Sequence, residues 1–278
     1  MKKFIFGFFL SFNLYAACDG SSRVFTHPDA VDGSLWAMTS KQYLTSNPTS
    51  PMVFILPPIV GETILDRRLA ERFCRAGLST LILHAVREVS PEREARDLAI
   101  HDESYVRAHG AVSAVMNAIE AQGLRPTRYG VLGMSLGGML AAYVAGAENK
   151  ISASVVVAGA GNAAGVLSHS DQELVVAQRK KRFETLGFTG VDSYEAALRA
   201  AISHDPLSVA ANVPARSMYL FIATRDTTVP TRYQRELRQA INSPLVFEMR
   251  AGHTSGLVKA GTIHAGKITN FMVKRLKD

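Results

Sequence analysis

The sequence predicts an α/β fold: a mostly parallel sheet with helices on both faces and a helical cap insertion. Three observations predict it. Short continuous apolar runs, such as residues 52–56 and 218–223, have the length and composition of strands buried on both faces. Stretches with helical periodicity separate them, so that strand, helix and strand repeat as right-handed crossovers. The rhythm then breaks over residues 162–210, where two or three helical segments follow one another without a strand.

At the N-terminus, residues 1–17 read as a secretory signal peptide. Met1-Lys2-Lys3 is basic, residues 4–15 are a Phe-rich apolar stretch too short to span a bilayer comfortably, and Ala16-Ala17 follow. Cleavage near Ala16 or Ala17 releases a soluble exported protein, to the periplasm or the extracellular medium. Leu14-Tyr15-Ala16-Ala17-Cys18 also resembles a lipobox, with Tyr15 where an aliphatic residue is usual. That route makes Cys18 the lipid-carrying first residue of a membrane-anchored lipoprotein. The chain has two cysteines. Cys74 reads first as a buried free thiol, and a Cys18–Cys74 disulfide is the alternative in an oxidising compartment. Residues 18–50 form an N-terminal arm with one or two edge strands, of which residues 36–45 pair with the main sheet.

Residues 51–278 form the main domain. A strand at 52–56 leads through the loop Pro57-Pro58-Ile59-Val60-Gly61 to a helix over 64–76, stopped by Gly77. A strand at 78–83, a charged loop over 84–101 and an amphipathic helix over 102–122 come next. The strand at 129–134 runs into a helix at 136–147 lined with small residues. Beyond the strand at 153–158, helices are expected near 163–169, 171–186 and 193–203. A strand at 218–223, a helix at 231–241, a strand at 245–249 and a helix at 263–276 complete the chain. An insertion after a strand's C-terminal end lies where α/β active sites sit. Residues 162–210 therefore read as a cap, whose apolar residues, Phe183 and Leu186 among them, are expected to line the site.

The chemistry centres on Gly133-Met134-Ser135-Leu136-Gly137-Gly138. A strand that reverses into a helix within one residue strains that residue's backbone, and side chains two positions either side would collide, hence the glycines. Ser135 is held out at the tip as a nucleophile. A serine hydroxyl needs a base to take its proton and a carboxylate to orient the base. Asp226 follows the strand at 218–223, and His253 follows the last strand in a Gly252-His253 loop. Both therefore fall on the sheet edge that carries Ser135. His264 and Asp205 are the rivals, Asp205 reading as a turn or cap residue before Pro206. Two N–H donors are expected for an oxyanion: Leu136, and Ile59, because Pro57 and Pro58 have none to give.

These motifs together, with Asp226-x-x-Val229-Pro230, resemble the α/β-hydrolase superfamily over about residues 50–277. Pro57-Pro58-Ile59 departs from the His-Gly version of the oxyanion loop. The resemblance implies hydrolysis of a carboxylic ester, thioester or amide through an acyl-enzyme, by a serine hydrolase, most simply a carboxylesterase, that needs no cofactor. A non-catalytic binding protein of the cell envelope with the same fold is the alternative. With 278 residues, 47% of them hydrophobic, the chain fits one large domain with an insertion. The net charge of +7 is scattered without a basic stripe, which speaks against nucleic acid, and Arg179-Lys180-Lys181 reads as a solvated helix face. No spacing of Cys, His or Asp suggests a metal. The expected partner is a small-molecule ester, with the membrane reached only through a lipid on Cys18.

Overall fold

The computed structural model describes Cys18 and residues 20–278; the signal-peptide reading of residues 1–17 lies outside the described residues. Eight strands form one sheet: β1 (Ser21–Pro28), β2 (Leu35–Tyr43), β3 (Met52–Leu56), β4 (Ser79–Leu83), β5 (Tyr129–Met134), β6 (Ile151–Val157), β7 (Met218–Ala223) and β8 (Leu245–Met249). Their spatial order is β1-β2-β4-β3-β5-β6-β7-β8. β3 to β8 run parallel, while the β1–β2 hairpin from the N-terminal arm joins antiparallel to β4, as expected for residues 36–45.

β3, β4 and β5 are buried at every position because helices cover both faces. Alternate residues serve opposite cores: Phe54, Leu56 and Val131 face one, and Val53, Ile55 and Leu132 the other. On the first face lie α3 (Ile100–Ala121) and α4 (Leu136–Ala147), and on the second α1 (Ile64–Arg75). A capping box starts α1: Thr63 Oγ1 accepts from the Asp66 N–H, and Asp66 Oδ2 accepts from the Thr63 N–H at 2.7 Å. Gly77, at φ +80°, turns the chain out of it.

The chain differs from expectation in several places, two of them ahead of α3. The stretch 84–101 holds a six-residue helix, α2 (Pro91–Arg96), started by Ser90 as N-cap with Pro91 behind it. Cys74 is no free thiol: it forms a disulfide with Cys18, 56 residues away, with Cα atoms 5.5 Å apart. The Cys18 N–H also donates to the Leu44 carbonyl at 3.2 Å, so the start of the arm is held at two points.

After β6 come α5 (Ala163–His169), α6 (Glu173–Leu186), α7 (Val191–Ala201) and the single turn α8 (Pro206–Val209), with no strand among them. The chain closes with α9 (Thr231–Ala240), α10 (His253–Gly261) and α11 (Ala265–Lys277). α6 bridges the edge of the sheet formed by the C-terminal ends of the parallel strands. Asp171, just before it, bonds to Thr227 and Thr228 after β7, while its far half bonds to α2, after β4. β3, β5 and β6 lie between those two strands. The far anchor is Arg182, fully buried, whose guanidinium donates to the carbonyls of Glu94 and Asp97, to the Tyr194 hydroxyl and to His101 Nε2. Burial, and then the Arg182 charge, push His101 down to about 3, so it stays neutral and can accept that bond. Among the described residues no helix is long and apolar enough to cross a membrane.

Non-reducing peptide mapping is expected to recover the Cys18 and Cys74 peptides joined. Reduction should then cost about 2–4 kcal/mol by releasing the closed loop. Thermal unfolding with and without reductant reads this as a midpoint lower by ~5–10 °C, a shift absent in Cys18→Ser.

Candidate active site

The elbow at the end of β5 is built by backbone contact. A Cβ on Gly133 would sit 1.9 Å from the Gly137 carbonyl oxygen, and one on Gly137 would sit 1.9 Å from that of Leu56. Only glycine permits α4 to lie this close to β5 and β3. Ser135 takes the strain, at φ 55° and ψ −123°, where an L-residue is rarely found. Its N–H is used by the Val157 carbonyl, and its side chain stands clear at the start of α4. The Leu136 N–H is left among the orphan amides at that helix's N-terminus.

Sequence-predicted residues from three distant segments meet here. His253 Nε2 lies 2.8 Å from Ser135 Oγ, and His253 Nδ1 lies 2.7 Å from Asp226 Oδ2. An ionised carboxylate can only accept, so Nδ1 carries the proton and Nε2 is free to accept from the serine. Asp226 is buried, yet both oxygens are satisfied: Oδ1 accepts from the N–H groups of Thr228 and Val229, and Oδ2 from Gln234 Nε2. His253 does not sit in a loop, as expected, but is the first residue of α10, capped by Gly252. The helix ties the imidazole to a rigid element.

The rivals fall elsewhere. Asp205 caps α8, accepting from the N–H groups of Leu207 and Ser208, and His264 packs edge-on against Phe247. Arg179 is not merely a solvated cation; it donates to the carbonyls of Leu167, Ser168 and Ser170 behind α5, while Lys180 and Lys181 are exposed.

Beside the elbow lies a cleft of about 370 Å³, at the small end of ligand pockets. Its walls come from the loop after β3, with Pro57, Pro58, Ile59 and Val60, and from the loop after β4, with Ala85 and Val86. Leu136 and Leu140 of α4 form the side nearest Ser135. Ile59, expected as the second oxyanion donor, lies at this wall in a turn closed by the Gly61 N–H on the Pro58 carbonyl. The inserted helices contribute nothing to it. Phe183 packs against Phe188 and Tyr194, and Leu186 is exposed, so the expectation that these two line the site is corrected.

Gln234 escaped the sequence reading. Buried on α9, its Oε1 accepts from the Ala223 N–H, and its Nε2 bridges Asp226 and the Val229 carbonyl. The one signal was a polar residue on a face otherwise buried through Tyr233 and Leu237.

The glycine contacts predict an ordered series. Gly133→Ala, with backbone at 1.9 Å, should cost more than about 4 kcal/mol and leave little folded protein. Gly138→Ala, whose nearest contact is 3.2 Å, should cost about 1–2 kcal/mol. Urea unfolding of the two variants measures the difference.

No protein-family model and no curated protein matches the sequence. Solved structures do match. An esterase of Pyrococcus furiosus aligns over 93% of this chain and 94% of its own, with a TM-score of 0.64 at 12% identity. Est1E of Butyrivibrio proteoclasticus aligns over 92% and 99%, with a TM-score of 0.62 at 12% identity. The acylaminoacyl peptidase of Pyrococcus horikoshii gives 0.67 at 12% identity over 93% of this chain, which spans only 42% of that longer protein. What the likeness establishes is architecture: the chain has the α/β-hydrolase fold.

Proposed function

We propose that the protein is a serine hydrolase that cleaves a carboxylic ester through an acyl-enzyme. The observation that carries this reading is the continuous chain Ser135 Oγ, His253, Asp226, with links of 2.8 and 2.7 Å. Ser135 Oγ attacks the ester carbonyl carbon while His253 Nε2 takes its proton. Asp226 holds the imidazole in the competent tautomer and favours the imidazolium. The carbonyl oxygen, now carrying charge, is met by the Leu136 N–H and by the Ile59 N–H. A preorganised donor of this kind is worth about 2.7–4 kcal/mol in the transition state. His253 then gives its proton to the departing alcohol. Water, activated by the same base, hydrolyses the acyl-enzyme. The esterases of like fold support an ester as substrate.

One arm of the substrate lies across Leu136 in the cleft, whose aliphatic and proline walls, with His84 and Glu88 at the loop after β4, suit a short apolar chain. The cap, residues 162–210, limits water above the acyl-enzyme by bridging the catalytic edge. The signal-peptide pattern of residues 1–17 supports export. What favours release over a lipid anchor is Cys18: its sulfur is bonded to Cys74, and one sulfur cannot also form a lipid thioether.

Ser135→Ala is expected to fold as the wild type and to lose ester hydrolysis by ~10⁴-fold or more. Labelling by a fluorophosphonate probe should vanish with it. Failure of the wild type to label at Ser135 would leave a binding protein. Across esters from acetyl to decanoyl, kcat/KM should rise by up to ~4-fold per methylene, equivalent to about 0.8 kcal/mol, and stop rising when the cleft is full. Val86→Trp, at the cleft wall, should move that stop to shorter chains and leave the acetyl ester unaffected.

A further inference from the structure

The loop that carries Asp226 is not held by the sheet alone. Thr227 and Thr228 follow the carboxylate directly, and both hydroxyls donate to one side chain of the cap, Asp171. Thr227 Oγ1 reaches Asp171 Oδ2 at 2.5 Å, and Thr228 Oγ1 reaches Oδ1 at 2.8 Å. The Asp171 N–H returns a bond of 3.3 Å to the Thr227 carbonyl. Thr228 thus has a double duty: its hydroxyl goes to Asp171, while its N–H goes to Asp226 Oδ1. The carboxylate of the cap and the carboxylate of the triad grip the same residue from two sides.

Asp171 is itself held. It lies in the short link between α5 and α6, and Arg179 on α6 donates to the Ser170 carbonyl just before it. Farther along α6, buried Arg182 fastens the helix to α2 and the start of α3. A rigid connection therefore runs from the elements after β4, along α6, through Asp171, into the acid loop after β7. The two threonine hydroxyls keep the Asp171 carboxyl below the usual carboxylate range, with the nearby His253 contributing, so it is ionised wherever the triad works.

We propose that Asp171 is a positioning residue that couples the seating of the cap to the placement of Asp226, so that the triad is complete only with the cap in place. This rests on the serine-hydrolase reading. Its chemical logic is confinement: acyl transfer then runs only where the cap and the acid loop are seated together.

The test pairs a kinetic readout with one that does not need catalysis. In Asp171→Ala, kcat is expected to fall between about 10- and 100-fold with KM within two-fold, as for a misplaced catalytic group. Asp171→Asn, which keeps an acceptor oxygen for one hydroxyl, should recover part of it. The double variant Thr227→Val with Thr228→Val should match Asp171→Ala, and the triple variant should lose no more than either, because all remove one unit. Hydrogen exchange at the Thr228 and Val229 amides should accelerate at least ten-fold in Asp171→Ala, while the amides of α3 stay protected. Unchanged exchange at those two amides would overturn the proposal, as would additive losses or a change confined to KM. If the wild type proves unreactive towards the fluorophosphonate, the functional reading fails, and the exchange experiment still decides whether Asp171 holds the loop.

Discussion

Bare backbone presses on bare backbone where α4 leaves the sheet. Gly137 meets the Leu56 carbonyl, Gly138 lies against Gly159, and Gly133 lies against Gly137. With no Cβ atoms between them, α4 comes close to β3, β5 and β6 at once and is buried along nearly its whole length. The positive φ of Ser135 follows from this approach, since the chain must reverse direction within one residue. The free amide of Leu136 and the placement of the serine hydroxyl against His253 follow in turn. A strained residue persists only when its surroundings over-determine it, and here three strands and a buried helix do so.

Two of the buried charges at this edge of the sheet are handled differently. Asp226 is surrounded by donors on four sides: two backbone amides, Gln234 and His253. Each oxygen has what water would have supplied, so burial of the anion costs little. Arg182, at the far end of α6, has no carboxylate among its hydrogen-bond partners; two carbonyls, a neutral imidazole and a phenol accept its protons. That arrangement is directional rather than strongly attractive. It fixes where α6 lands, because a guanidinium fork this deep in the fold fits only one set of acceptors.

Much of the fold could be read in the sequence because its strands are double-sided apolar runs and its stops are glycines at positive φ, such as Gly77 and Gly123. The triad residues could be read because each stands just past a strand that the apolar runs reveal. What stayed hidden lacked a periodic signature. α2 has its start signals, Ser90 and Pro91, but six residues make too little of a stripe to stand out from a charged loop. α10 begins at Gly252 with no side-chain cap, so nothing in Gly252-His253-Thr254 announced a helix. The disulfide was visible only as an alternative to a free thiol, because choosing it depends on bringing the arm against α1, which no local pattern encodes. Gln234 and Asp171 act through hydrogen bonds to residues 8 and 56 positions away, and side chains of that kind look like any surface amide or acid until the fold brings the partners together.

The cleft is made largely from loops that carry no part of the triad. Residues 57–61 and 84–88 shape it, whereas Ser135, Asp226 and His253 come from other segments, and only Leu136 and Leu140 belong to the helix that follows Ser135. Divergence can therefore act on the two independently. Substitutions in the loop after β4 can reshape the cleft while leaving the glycine-locked elbow untouched, so the form of the opening and the geometry of the triad can drift apart.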